Sequence, residues 1–490
     1  MTNSAPGTQD TRSTAGTIAA GLLVAVAAAW WIFRGLEREP HFADESAMIA
    51  QSYYYTLLRS GRWDHPDWLH YAAYDHPPLP KYMFGASLAA ARLPAPQNLD
   101  RWMAWIGFER VAGRWVARAG GGDFSPPAEA GVLYWSRVPA AVFGVGGVLA
   151  TFALGVLVRG RWLGLLAALL VAVDPLYLTH ARRAMSDSFA ECLVIASVAC
   201  AAAGMRLLWS PQFRPGRWLA FVAGAAASCG LAAEAKLNGG VATVIVLATL
   251  GVGWLALAIE RGRGPGGPTA ASRWSLVVPL PAMVLVGAGS FSLFVALNPF
   301  LTARPQMRDT DSEQARKLAR MGVLDRARFL VQFRREWSQD AMRNPAFERD
   351  WLSTPADRIR MTVWEGFGRY SPFGPRNIRT VGPRPTSERF GEYRRAAALI
   401  WFPLFVWGVL WAIGDGWRAV RNGGPPVAWC LVVHAALALA VVVLLIPLNW
   451  DRYYLPLQPC AAVLVPYGVL ATLEWIGARL VLTPDAQFTG

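Results

Sequence analysis

Polar and apolar residues follow one another along this chain in long blocks, not with the short periods of a soluble fold. The apolar blocks run for 16 to 27 residues, and about 20 such residues cross a hydrocarbon core of about 30 Å as a helix. Borders set by charge, proline and glycine place spans near 17–33, 132–158, 162–178, 187–208, 218–233, 238–259, 274–297, 396–413, 426–448 and 454–473. The pattern therefore predicts an all-α polytopic membrane protein with about ten transmembrane helices. External amphipathic helices are expected between the first two spans, because the apolar positions after Pro78 fit a helix lying in the interface.

Short loops between spans carry arginine at four places: Arg159 with Arg161, Arg206 with Arg214 and Arg217, Arg261 with Arg263 and Arg273, and Arg418 with Arg421. Positive short loops stay in the cytoplasm. Segments 34–131, 179–186, 234–237, 298–395 and 449–453 then face the other side. The polar residues 1–15 read as a disordered cytoplasmic tail. The first span reads as retained and not as a cleaved signal, since Arg12 is its only preceding basic residue and Trp30 and Trp31 follow its small residues. Four parts result: the tail, an N-terminal transmembrane catalytic module over 16–297, an extracytoplasmic loop over 298–395, and a C-terminal transmembrane module over 396–490.

Composition sharpens this picture. Of 490 residues, 54% are hydrophobic and 16% charged, which excludes a water-soluble multidomain enzyme. The net charge of +14 comes from 44 arginines and only three lysines, Lys81, Lys236 and Lys317. These charges flank spans or fall in the long loop, which suits membrane lipid as a partner and not nucleic acid. Residues 298–398 alone hold 20 basic and 12 acidic side chains, too many to cross a bilayer. The five cysteines lie in or beside apolar spans with no Cys-x-x-Cys, so neither zinc nor a disulfide framework is expected.

Several chemistry-bearing groups collect on the external side. Asp44 and Glu45 precede a helical pattern; adjacent carboxylates tune each other as a base, although an N-cap at Asp44 and a dipole partner at Glu45 also explain them. Asp75-His76-Pro77-Pro78-Leu79-Pro80-Lys81 starts a second helix, where Lys81 can snorkel to headgroups. Arg182, Arg183 and Asp187 sit between two spans, where charge is costly and usually paired or functional; Asp187 can also cap the span it begins. Lys236 stands at a span junction two residues after Glu234, its simplest ion-pair partner. Arg452 lies between Trp450, Tyr453 and Tyr454 at the membrane edge. Acids, one histidine and separated cations in this mixture suit a lipid phosphate held at the bilayer surface, with a carboxylate nearby to take a proton.

In this order, the segments resemble membrane glycosyltransferases that use polyprenyl-phosphate sugars, the broad family of protein O-mannosyltransferases and aminoarabinose transferases of lipid A. The resemblance rests on Asp44-Glu45 after the first span, His76-Pro77-Pro78-Leu79-Pro80-Lys81, and Ser136-Arg137-Val138-Pro139-Ala140. It continues through Ala181-Arg182 with Asp187, Lys236, and Arg452-Tyr453-Tyr454-Leu455-Pro456. It implies an all-helical fold of the type called GT-C and an inverting transfer from a polyprenyl-monophosphate sugar to a hydroxyl of a protein, glycan or lipid. The site would lie on the extracytoplasmic side of a bacterial plasma membrane.

By the same resemblance, Asp44 is the general base with Glu45 assisting or orienting it. Arg182, Lys236, Arg452 and Tyr453 bind the lipid phosphate, and Asp75, His76, Lys81 and Asp187 position acceptor or donor. No cofactor is demanded, although carboxylates and a histidine leave a divalent cation open. Two departures matter. Segment 298–395 is short, arginine-rich and without strand repeats where eukaryotic O-mannosyltransferases carry a β-trefoil, and 98–129 resembles an insertion with no motif. A lipid or glycan flippase is the alternative reading, and it expects charges near the midplane and interrupted helices in two related halves.

Overall fold

The structure is a computed structural model and describes residues 8–112, 114–210, 213–261, 277–308, 312–341, 343, 351–368, 388–445 and 448–481. Nine helices among these residues are long and apolar enough to cross a membrane, and a bent pair brings the number to as many as ten. The protein is thus an all-α integral membrane protein, as the block pattern predicts. The spans are Thr14–Phe33, Val132–Arg159, Asp187–Leu208, Pro215–Ala235, Leu237–Glu260, Pro279–Leu297, Ala396–Arg421, Ala428–Leu445 and Leu457–Arg479. The first helix begins at Thr8, inside the stretch expected to be a tail.

The bent pair corrects one boundary. Residues 162–178 read as one span, yet Arg161–Val173 and Pro175–Ala181 meet at 69°. Pro175 supplies no N–H to the helix before it, and the Asp174 carboxylate accepts from Tyr177 N at 2.6 Å, which caps the second piece. The break lets residues 182–186 turn directly into Asp187–Leu208.

The core lies where the early spans pack together: Asp187–Leu208 lies against Val132–Arg159 and Pro215–Ala235, and the latter against Pro279–Leu297. Ala396–Arg421 packs on the last span. There Gly408 meets the Leu464 carbonyl so closely that a Cβ would overlap it, the small-residue contact by which helices associate in lipid.

Between the first two spans, short helices Ala43–Gln51, Tyr53–Arg59, Tyr71–Asp75 and Pro78–Ala90 cover one end of the bundle. The motif-free stretch contains a hairpin, Phe108–Val111 with Arg114–Ala117, paired from Phe108 opposite Ala117. The described parts of 298–395 include the helices Pro299–Thr302, Glu313–Arg320 and Val323–Ala341. Tyr74 packs on Phe300, Phe329 and Phe333 at ring distances of 5.1, 5.3 and 5.2 Å. The buried Arg326 donates to the carbonyls of Leu318, Phe300 and Ala303 at 2.8 to 2.9 Å. Burial pulls its pKa down to about 10, and those carbonyls replace the water it has lost.

Candidate functional site

The site is assembled from the ends of four elements far apart in sequence. Asp44 lies in the first turn of Ala43–Gln51, whose N-cap is Phe42, so Asp44 is not the cap its position suggested. Arg452 lies in the 3₁₀ turn Asp451–Tyr454, and its Nη1 donates to Asp44 Oδ2 at 2.7 Å. Asp187 is the first helical residue after the N-cap Ser186, so it does not cap its span either. Lys236 is extended, with φ −156° and ψ 133°, between Pro215–Ala235 and the 3₁₀ turn Leu237–Gly240. Its Nζ donates to Asp187 Oδ1 at 2.6 Å. Asp187, not Glu234, is therefore its ion-pair partner.

Aromatic rings join the two pairs. The Arg452 guanidinium lies 4.7 Å from the Trp450 ring and 5.7 Å from that of Tyr453, and Lys236 Nζ lies 6.0 Å from Tyr453. The two rings are stacked within 4° of parallel. Burial works against the charge of Arg452, but the Asp44 carboxylate, the Tyr453 phenol and Asp187 together hold its pKa above the ordinary value. Exposure differs across the pairs: the Asp44 side chain is 32% exposed and Lys236 25%, whereas Asp187 is 2%. The second Asp187 oxygen faces His180 Nδ1 at 3.7 Å, longer than a hydrogen bond.

Glu45 has a different environment from its neighbour. Its carboxylate is fully buried and accepts from Arg137 Nε and Nη2, each at 2.8 Å, from Ala184 N at 2.8 Å and from Phe42 N at 2.9 Å. The last contact is the returning half of a capping box. Arg137 also donates to the Leu36 and Glu39 carbonyls. These contacts fill the acceptor positions of Glu45 and tie the start of the helix that carries Asp44 to Arg137 and Ala184.

Arg182, the other arginine expected at the phosphate, is anchored on the first span. It donates to the Trp31 and Ile32 carbonyls at 2.7 and 3.2 Å, closing the C-terminal end of the first span. Gly35 lies so near this guanidinium that a Cβ there would collide with it. Arg183 pairs with Glu39 at 3.1 Å.

Asp75, His76 and Lys81 form a second group. His76 Nδ1 lies 2.9 Å from Asp75 Oδ2, and Arg334 Nη1 lies 3.6 Å from Asp75 Oδ1. Burial raises the Asp75 pKa, but His76, Arg334 and Lys81 outweigh it and hold the carboxyl well below its usual range. Lys81 does not snorkel. It is buried, donates to the Ala72 and Ala73 carbonyls at 2.7 and 2.8 Å, and lies 5.0 Å from the Tyr54 ring. Burial lowers its pKa to about 7.

Sequence reasoning missed the roles of Arg137 and Arg334. Arg137 stood inside a quoted motif, and its place at the start of a span was the available signal; Arg334 is one of many loop arginines with no local mark. Among the described residues, no group of three or more His, Cys, Asp or Glu side chains is placed to hold a metal ion. Asp44 and Asp187 instead meet arginine and lysine.

Residues 127–293 match a family model described as dolichyl-phosphate-mannose-protein mannosyltransferase. The resemblance to glycosyltransferases with lipid-linked donors is borne out over that stretch, which includes Arg137, Asp187 and Lys236 but neither Asp44 nor Arg452. No curated protein matches the chain. Solved structures similar to it include the following three. The S. cerevisiae protein O-mannosyltransferase Pmt1-Pmt2 complex bound to the sugar donor is 17% identical, over 58% of this chain and 33% of its own, with a TM-score of 0.38. ArnT from Cupriavidus metallidurans bound to undecaprenyl phosphate is 13% identical, over 94% and 63%, with a TM-score of 0.45. The apo Archaeoglobus fulgidus oligosaccharyltransferase is 16% identical, over 94% and 51%, with a TM-score of 0.49. The chain spans less than two thirds of the length of each.

Proposed function

We propose that this protein is an inverting glycosyltransferase that moves a sugar from a polyprenyl monophosphate to a hydroxyl of a protein, glycan or lipid acceptor. It works at the extracytoplasmic face of a bacterial plasma membrane, surrounded by membrane lipid. The observation carrying this reading is the convergence of Asp44, Arg452, Asp187 and Lys236, with partner distances of 2.7 and 2.6 Å. Asp44 is the only one of the two acids with substantial exposure, and it removes the acceptor proton. The acceptor oxygen attacks sugar C1 as the bond from C1 to the phosphate oxygen breaks on the opposite side, which inverts the centre. Arg452 and Lys236 take up the charge of the departing phosphate, with Tyr453 as the aromatic wall beside both.

In this proposal Glu45 and Arg137 are positioning residues, and Arg182 acts through the end of the first span. Asp187 holds Lys236 in place. Asp75 and His76 shape the acceptor side from their own group, with Lys81 fixing the backbone beneath them. No step is assigned to a divalent cation, because the two cationic side chains already stand where phosphate charge develops. The flippase reading expects paired interrupted helices in two halves; the described residues contain one bent pair.

The test is release of polyprenyl phosphate from a panel of polyprenyl-phosphate sugars by purified wild type and Asp44→Asn. General-base loss typically costs about 10²- to 10⁴-fold in rate, so a fall of that size in a folded variant is expected. Equal turnover by both would remove Asp44 as the base. Absence of turnover with every donor and trial acceptor would favour the flippase.

A further inference from the structure

Both cations assigned to the phosphate are already occupied by carboxylates. Asp44, Arg452, Asp187 and Lys236 sum to zero charge, so a phosphate dianion entering this arrangement meets two anions beside two neutralised cations. With both pairs closed the group offers phosphate no excess positive charge, and opening one pair supplies it. The surroundings of the Asp44–Arg452 pair favour opening there. Asp44 is 32% exposed and can be rehydrated when its partner leaves, whereas the 2% exposed Asp187 cannot. Arg452 also lies beside two stacked aromatic faces at 4.7 and 5.7 Å, which can retain its charge as the guanidinium swings.

We infer that donor phosphate and Asp44 compete for Arg452, so that donor binding is what frees the base. Before the donor arrives, the guanidinium occupies Asp44 Oδ2 at 2.7 Å, so that oxygen is not open to an acceptor hydroxyl. Once phosphate has taken Arg452, Asp44 Oδ2 is open to accept from the acceptor hydroxyl. The site is then ordered, with donor first and acceptor second, and an acceptor hydroxyl is not activated without a sugar to receive it. This inference rests on the phosphate role proposed above for Arg452.

The exchange is tested by binding alone, using a short-chain polyprenyl monophosphate and purified protein in detergent. Four proteins form a cycle: wild type, Asp44→Asn, Arg452→Ala and the double variant, with Arg452→Gln in place of Ala should Ala lower the folded yield. Asp44→Asn is expected to bind the phosphate more tightly by about fivefold, the scale of a partly exposed ion pair, and only while Arg452 is present. An equal gain in the Arg452→Ala background would mean simple repulsion between Asp44 and phosphate and would overturn the exchange. Unchanged affinity in Asp44→Asn, with Arg452→Ala still weakened, would overturn it while leaving the phosphate role intact. Unchanged affinity in Arg452→Ala would remove the phosphate role itself, and the exchange with it.

Discussion

The two ends of the second span, Val132–Arg159, carry ion-pair clusters made of similar parts and put to different uses. Near its start, Arg137 holds Glu45 beneath a site whose outer cations have one carboxylate apiece. At its end, Arg159 is shared by Asp415 at 2.8 Å and Glu474 at 2.6 Å, while Asp415 also meets Arg418 and the Tyr467 hydroxyl. The redundant cluster ties three spans together and loses little when one contact opens. The singly paired cluster is the one able to exchange partners. Multiplicity of contact, more than the presence of charge, separates a fastening from a working site.

The sharpest way to break this comparison is Arg137→Met, which leaves the buried Glu45 carboxylate without its guanidinium. Removing one partner of a buried pair costs about 3 to 5 kcal/mol, so thermal unfolding in detergent should fall steeply and activity should be lost with the fold. Arg452→Ala is next: turnover should drop about a hundredfold, the typical loss of one charge-assisted contact in the transition state, with the unfolding temperature nearly unchanged. Arg159→Ala should do the reverse, lowering stability by about 1 kcal/mol while turnover per folded molecule stays at the wild-type level. A variant that moved both quantities together at either position would erase the distinction.

A smaller effect concerns the second group. The Asp75 pKa is lowered in the folded protein, so its contribution is complete above the unfolded carboxylate value of about 4 and is lost as pH falls below it. Asp75→Asn should flatten the acid side of the stability profile, and an unchanged profile would remove that contribution. The facing of the loop can be sharpened with Leu324→Cys, at an exposed position. An impermeant thiol reagent should label it from outside intact cells, and protection would reverse the orientation.

The spans were legible because an uninterrupted apolar block of about 20 residues has few ways to fold other than across lipid. The break at Asp174–Pro175 was written in the sequence too, as a capping residue before proline, but the apolar count on either side hid it. Asp187, Lys236 and Arg452 could be picked out because isolated charges at span ends are expensive, and Asp44 because it adjoins a second carboxylate. Their pairing could not, since 49 residues separate one pair and 408 the other. Glu45, Lys81 and Arg182 show the complementary failure. Their roles are set largely by backbone groups of other elements, and a carbonyl or amide leaves no residue type to recognise.

The separations at Asp44 and Glu45 bear on how the protein is made. Chains emerge N-terminus first, and Glu45 meets Arg137 only 92 residues on, whereas Asp44 waits 408 residues for Arg452. The scaffold of the site can therefore close while most of the chain is still on the ribosome. The latch on its acid arrives almost last, so a nascent or prematurely ended chain presents an oriented Asp44 that nothing yet restrains.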